Sequence, residues 1–94
     1  MDVEVSFHPH PNGGGLVADT ASVDPDAHIA PEAVVADRAR VFGATRILES
    51  ARIEGDAQVG PYAVVAGTSV VSGRARVYEA RIFGDVRLGD DAMV

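Results

Sequence analysis

Every sixth residue of this chain is aliphatic for most of its length. From Val17 the series runs through Val23, Ile29, Val35, Val41, Ile47, Ile53, Val59, Val65, Val71 and Val77. After one five-residue step it resumes at Ile82, Leu88 and Val94. Four positions after the aliphatic comes a small residue: Ala21, Ala27, Ala33, Ala39, Thr45, Ala51, Ala57, Ala63, Ser69, Ala75 and Ala92. Two positions after it, turn formers gather at Pro25, Pro31, Gly43, Gly55, Pro61, Gly67, Gly73 and Gly84. A period of six does not match the helical repeat of about 3.6 residues. Recurrent Pro and Gly would break a helix in any case. Self-similarity of this kind is the mark of a solenoid.

Each feature of the repeat has a steric reason. Alternation along a strand sends Ala39 and Val41 inward and Arg40 and Phe42 outward. The aliphatic fills the interior, the small residue sits near a corner, and Gly, Pro or Asp turns the chain. Three such strands close a triangular coil of 18 residues, with coils stacked at about 4.8 Å. Composition agrees, since Val, Ala and Ile supply nearly all the apolar content and β-branched residues favour strands. The reading is an all-β parallel β-helix over 17–94, about four coils plus an unfinished fifth.

The segments Ile53-Glu54-Gly55-Asp56-Ala57-Gln58 and Val59-Gly60-Pro61-Tyr62-Ala63-Val64 carry a resemblance. Both fit a consensus of one aliphatic, then Gly, Ala, Glu or Asp, two free positions, a small residue and a free position. The chain from Val17 to Val94 thus resembles the hexapeptide-repeat, or isoleucine-patch, proteins. The resemblance implies a left-handed coil, against the usual right-handed preference of parallel crossovers. It also implies two chemistries, acyl transfer and γ-type carbonic anhydration, and a tendency to form homotrimers.

Residues 1–16 stand outside the repeat. Val3, Val5 and Phe7 alternate with polar neighbours and suggest one short strand, broken by Pro9, Pro11 and Asn12-Gly13-Gly14-Gly15. The expectation is a cap over the open first coil, as solenoid ends require. A phosphate-binding loop is the alternative, but no helix or Lys follows the glycines. The shortened step at Val77-Tyr78-Glu79-Ala80-Arg81-Ile82 reads as a tightened corner. At the far end, Val94 falls on an inward position with nothing after it to cover the coil, which suggests either a longer natural chain or a second copy stacked on the end.

Composition narrows the function. No Cys is present, so disulfides and thiolate metal sites are excluded, and the eight basic residues are all Arg, which excludes lysine chemistry. A net charge of −6 argues against non-specific binding to nucleic acid or membrane surfaces. With no basic and apolar leader visible, the expected compartment is the cytoplasm.

The acyltransferases that the chain resembles use a His near an extruded loop and lay acyl-CoA between subunits. Here no loop is extruded, and His28 is the solenoid's one His. It is the candidate general base if a neighbouring subunit completes a site, and a solvated surface His otherwise. The carbonic anhydrases of the family hold zinc with three His shared between subunits. His8 and His10 form an H-x-H pair able to grip a metal from one face, though Pro9 and Pro11 make it read as an extended linker and no third ligand is defined.

The outward positions carry the most pattern. Arg40, Arg46 and Arg52 flank the strands of one coil, and Arg76, Arg81 and Arg87 those two coils later. Gln58, Val64 and Val70 occupy the places between. Skipping a coil keeps like charges apart and lets Arg stems lie over the valines. Phe42 and Tyr78 share one wall, while another exposes His28, Ala30, Leu48, Val64, Ala66 and Phe83 with Arg46 and Arg81. Aromatic and Arg residues in one stripe are what an interface contains. The expectation is therefore a non-catalytic assembly or scaffold module that needs no cofactor. It binds itself through Phe42, Tyr78, Leu48, Val64, Phe83, Arg46 and Arg81, as a homotrimer or an end-to-end stack. The alternatives are a hexapeptide-class acyltransferase, or a fragment of one, and then a γ-carbonic-anhydrase-like metalloprotein.

Overall fold

A computed structural model describes residues 6–93. Its strands follow in chain order as β1 (Phe7–Pro9), β2 (Leu16–Ala18), β3 (Ser22–Val23), β4 (His28–Ile29), β5 (Val34–Val35), β6 (Arg40–Val41) and β7 (Arg46–Ile47). The series continues with β8 (Arg52–Ile53), β9 (Gln58–Val59), β10 (Val64–Val65), β11 (Val70–Val71), β12 (Arg76–Val77), β13 (Arg81–Ile82) and β14 (Arg87–Leu88). Past β2 each strand is two residues long, because every six-residue unit must also hold a corner. The expected stacking is present: Val35 lies beside Ile53, Val41 beside Val59 and Ile47 beside Val65, each eighteen residues apart and parallel. Three walls result. The first is β1-β2-β5-β8-β11-β14, the second β3-β6-β9-β12 and the third β4-β7-β10-β13. Together they form an all-β solenoid of about four coils.

The inward columns obey the steric rule read from the sequence. Ile29, Ile47, Ile53, Val35, Val59, Val65, Val71 and Val77 are fully buried, as are Ala27, Ala33, Ala39, Ala51, Ala57, Ala63 and Ala75 at the corners. Burying each branched side chain contributes about 1.5–3 kcal/mol. Thr45 and Ser69 replace alanine in the small columns and stay satisfied inside. Thr45 Oγ1 donates to the Phe42 carbonyl at 2.7 Å, and Ser69 Oγ donates to the Gly84 carbonyl at 3.1 Å while accepting from Val86 N at 3.2 Å. Gly60 has φ +126, and a Cβ there would fall 2.0 Å from the Phe42 carbonyl oxygen. No side chain fits.

The corners explain part of the acidic excess. Asp37 and Glu49 hold positive φ, a left-handed conformation that costs an L-residue about 1–2 kcal/mol. Each offsets this with a bond to the next coil: the Asp37 carboxylate accepts from Gly55 N, and Glu49 from Gly67 N, both at 2.9 Å. At the remaining corner Asp24 accepts from Gly43 N, also at 2.9 Å. Every corner of the triangle therefore has one carboxylate stapled to a glycine amide of the following coil.

The five-residue step tightens one corner and leaves the interior in register. Val65 pairs with Ile82 and Val71 with Leu88, seventeen residues apart. Val64 N donates to the Ala80 carbonyl and Glu79 N to the Pro61 carbonyl, so the position skipped is the one that would stand below Tyr62.

At the N-terminal end β1 runs antiparallel to β2, with Phe7 opposite Ala18 and Pro9 opposite Leu16. Pro9 is the last residue of this strand, a place that the outermost strand of a sheet tolerates, and the strand ends there. Val3 and Val5, expected in the same strand, lie outside the described residues. The glycine turn then closes over the third wall: Gly15 N donates to the Ile29 carbonyl and Ile29 N to the Asn12 carbonyl. A Cβ on Gly15 would sit 2.3 Å from Ile29 Cγ2, so the turn lies directly on the core. Gly14 N is bonded to the His10 carbonyl. Two of the three glycine amides that a phosphate cradle would use are thus bonded to the chain itself. At the other end Met93 bridges Arg76 in parallel, and Val94 lies outside the described residues. Among the described residues no helix is long and apolar enough to cross a membrane.

Candidate functional site

The outward side chains line up because the inward ones do. On the third wall one column reads His28, Arg46, Val64, Arg81 down the coils. Two residues further on, a second column reads Ala30, Leu48, Ala66, Phe83. Ala30 and Ala66 are buried, Leu48 is half-buried between them, and Phe83 is 58% exposed. Ala30 and Ala66, expected on the outer stripe, thus add almost no surface, and the apolar surface of this wall comes from Leu48, Val64 and Phe83, beside Arg46 and Arg81. Val64 separates Arg46 from Arg81 by two strand spacings, about 10 Å. The same interruption occurs on the other walls, with Gln58 between Arg40 and Arg76 and Val70 between Arg52 and Arg87.

The second wall carries the aromatic pair. Phe42 and Tyr78 flank Gly60, and the missing side chain lets their rings meet at 5.9 Å, tilted by 54°. Tyr78 Oη donates to Gln58 Oε1 at 3.0 Å. Of the seven residues singled out as an interface, five thus lie on the third wall and two on the second.

Between these walls stands Tyr62, which sequence reasoning passed over. It is 71% exposed, with φ +58. Its corner column runs Asp26, Ala44, Tyr62, and the next place is the skipped one, so the ring has a small neighbour on one side and none on the other. Ala44 leaves an open hollow bordered by Asn12, Asp26, His28, Arg46, Leu48 and Tyr62. His28, the candidate base, is half-buried there, with Nδ1 3.2 Å from Asn12 Oδ1.

The two N-terminal histidines do not converge. His8 is exposed and its Nδ1 lies 2.8 Å from Asp19 Oδ1, whereas His10 is buried and its Nε2 donates to the Ala27 carbonyl at 2.9 Å. Among the described residues no group of three or more metal-ligating side chains assembles anywhere. His10 is instead a structural pin of the cap.

No protein-family model, curated protein or solved structure matches this chain.

A second feature missed in the sequence is a ladder of alternating charge at the corner between the first and second walls. Arg38 pairs with Asp56 at 3.1 Å, and Arg74 with Asp91 at 3.0 Å, each one coil away. The signal was available as Arg38, Asp56 and Arg74 at eighteen-residue intervals. These side chains are mostly exposed, so each pair contributes no more than about 1 kcal/mol. Arg38 and Arg74 are committed within the chain, as is Arg52, which pairs with Glu54 at 3.4 Å. Among the described residues Arg46 and Arg81 form no ion pair.

Proposed function

We propose that this solenoid is a non-catalytic assembly module, of the hexapeptide-repeat type with left-handed coils, that binds copies of itself through its Arg and apolar third wall. One observation carries the reading: Leu48, Val64 and Phe83 give this wall apolar surface beside Arg46 and Arg81, which form no ion pair among the described residues. A lone exposed apolar residue needs no explanation, but several on one wall beside arginines fit an interface core and its rim. A closed trimer is the assembly that the family resemblance favours. Sedimentation velocity over a concentration series tests the reading. The parent chain is expected to associate, and Phe83→Ser to weaken that association by at least about tenfold, as loss of an aromatic anchor does. A parent chain that stays monomeric throughout overturns it.

One observation favours a second reading, an acyltransferase acting on acyl-CoA. His28, Arg46 and Tyr62 border a single hollow, and a neighbouring subunit would supply the remainder of a site. Turnover of acetyl-CoA by the purified chain, abolished in His28→Ala, would support it; equal turnover in both chains would remove it.

A further inference from the structure

The hollow beside Tyr62 holds two opposite charges apart. Its floor is Ala44, the small member of the corner column Asp26, Ala44, Tyr62. Asp26 and Tyr62 thus stand on either side of the floor, two strand spacings or about 10 Å apart along the solenoid. Arg46 rises beside Ala44 on the same coil, next to His28 of the preceding coil, and Leu48 follows two residues on. His28 is engaged already, with Nδ1 3.2 Å from Asn12 Oδ1. Asp26, Arg46 and Tyr62 are exposed, and among the described residues neither Asp26 nor Arg46 forms an ion pair. Another corner shows that such a pair can close. Arg38 reaches Asp56, and Arg74 reaches Asp91, each across one coil, at 3.1 and 3.0 Å. Asp26 and Arg46 are also one coil apart and border one hollow, yet they stay separate. The space between them measures about 630 Å³, within the range of small-molecule sites, about 300–1,000 Å³.

We propose that this hollow binds a free α-amino acid with an apolar side chain. The ligand's carboxylate lies on Arg46, its ammonium on Asp26, and its side chain between the Tyr62 ring and Leu48. A guanidinium presents a planar fork that matches a carboxylate, and the Asp26 carboxylate accepts from an ammonium. Only a molecule carrying both charges neutralises both groups. A simple anion would satisfy Arg46 and meet repulsion from Asp26; a simple amine would do the reverse, so the layout selects against either. The exposed Tyr62 ring and half-buried Leu48 then offer apolar surface on which a side chain loses contact with water. Binding of this kind requires neither self-association nor turnover, since one chain supplies every group.

Free leucine is the probe, set against leucinamide, which lacks the carboxylate charge, and isocaproate, which lacks the ammonium. Backbone amide resonances of Ala44 and Thr45 report binding in a titration followed by NMR. Leucine is expected to shift them saturably, and each singly charged analogue to bind about tenfold or more weakly, as loss of a hydrogen bond to a charged group implies. Arg46→Gln is expected to weaken leucine and isocaproate but not leucinamide. Asp26→Asn is expected to weaken leucine but not isocaproate. Tyr62→Asn, which keeps a residue tolerant of the positive φ, is expected to weaken leucine with the charges intact. All three side chains are exposed, and the remaining amide spectrum checks that each variant is folded. Arg46 and Leu48 also belong to the wall proposed for self-association, so the titration is repeated on Phe83→Ser, whose changed residue does not border the hollow. Saturable leucine binding in either chain, with the analogues weaker, supports the site. Absence of binding in both chains overturns the proposal. So does an analogue that binds as tightly as leucine, or Arg46→Gln and Asp26→Asn chains that bind leucine like the parent.

Discussion

Asp37 offers the sharpest test of how the corners are held. Its carboxylate accepts from Gly55 N at 2.9 Å, and its backbone sits at φ 58. Three substitutions separate these roles. Asp37→Ala removes the acceptor and keeps a β-carbon in the left-handed region. A hydrogen bond to a charged group is worth about 1.5–3 kcal/mol, and this exposed corner lets water replace part of it. A net loss of about 1–2 kcal/mol follows, or roughly 5–15 °C in midpoint for a chain of this size. Asp37→Gly loses the same bond but relieves the left-handed strain, so it should fall between alanine and the parent. Asp37→Asn keeps an oxygen acceptor and a residue type that tolerates positive φ, and should stay within about 0.5 kcal/mol of the parent. Thermal unfolding followed by circular dichroism at one fixed concentration reads the series. If alanine unfolds with the parent, the staple contributes nothing. If asparagine is as unstable as alanine, the charge holds the corner and the argument from an acceptor is wrong.

Three further outcomes follow from the packing. Gly60→Ala would place a methyl 2.0 Å from the Phe42 carbonyl oxygen; overpacking and backbone strain should cost at least about 3 kcal/mol, visible as a large fall in denaturation midpoint. Ile53→Ala, at a fully buried position between Val35 and Val71, should cost about 2–5 kcal/mol in urea unfolding. Leu88→Ala, only partly buried in the last coil, should cost clearly less, and equal losses would contradict the one-dimensional packing of the solenoid. His10→Ala removes the bond to the Ala27 carbonyl from a buried site and should cost about 1–3 kcal/mol, with faster amide exchange at Gly14 and Gly15 before the central coils respond.

Much of the fold was legible because the inside of a solenoid repeats. Val59 and Ala63 each obey a rule that a six-residue window displays in full: one branched residue for the interior, one small residue for the corner. At the N-terminal end Phe7 opens the strand and Pro9 closes it, as a residue with no N–H to offer a partner can at a sheet edge, while Val3 and Val5 lie outside the described residues. The corner staples were not legible. Asp37 and Gly55 form no local motif, and nothing links them until coils of eighteen residues are laid side by side. Tyr62 escaped for a different reason: its exposure comes from two absences, the side chain that Ala44 lacks and the residue that the shortened step omits.

The same contrast bears on where function can reside. Inside, each coil must resemble the last, because a column of branched residues packs best on another, so the interior carries no information beyond the fold. Outside, exact repetition is forbidden to charged residues, since an unbroken arginine column would repel itself at every strand spacing, about 4.8 Å. Arg46, Val64 and Arg81 are the third wall's solution to that constraint. Relief of repulsion alone, however, would be met by any neutral residue in any coil. Val64 meets it with a branched apolar side chain over which the flanking arginine stems can lie. The interruption of the cations belongs to the stability of the single chain.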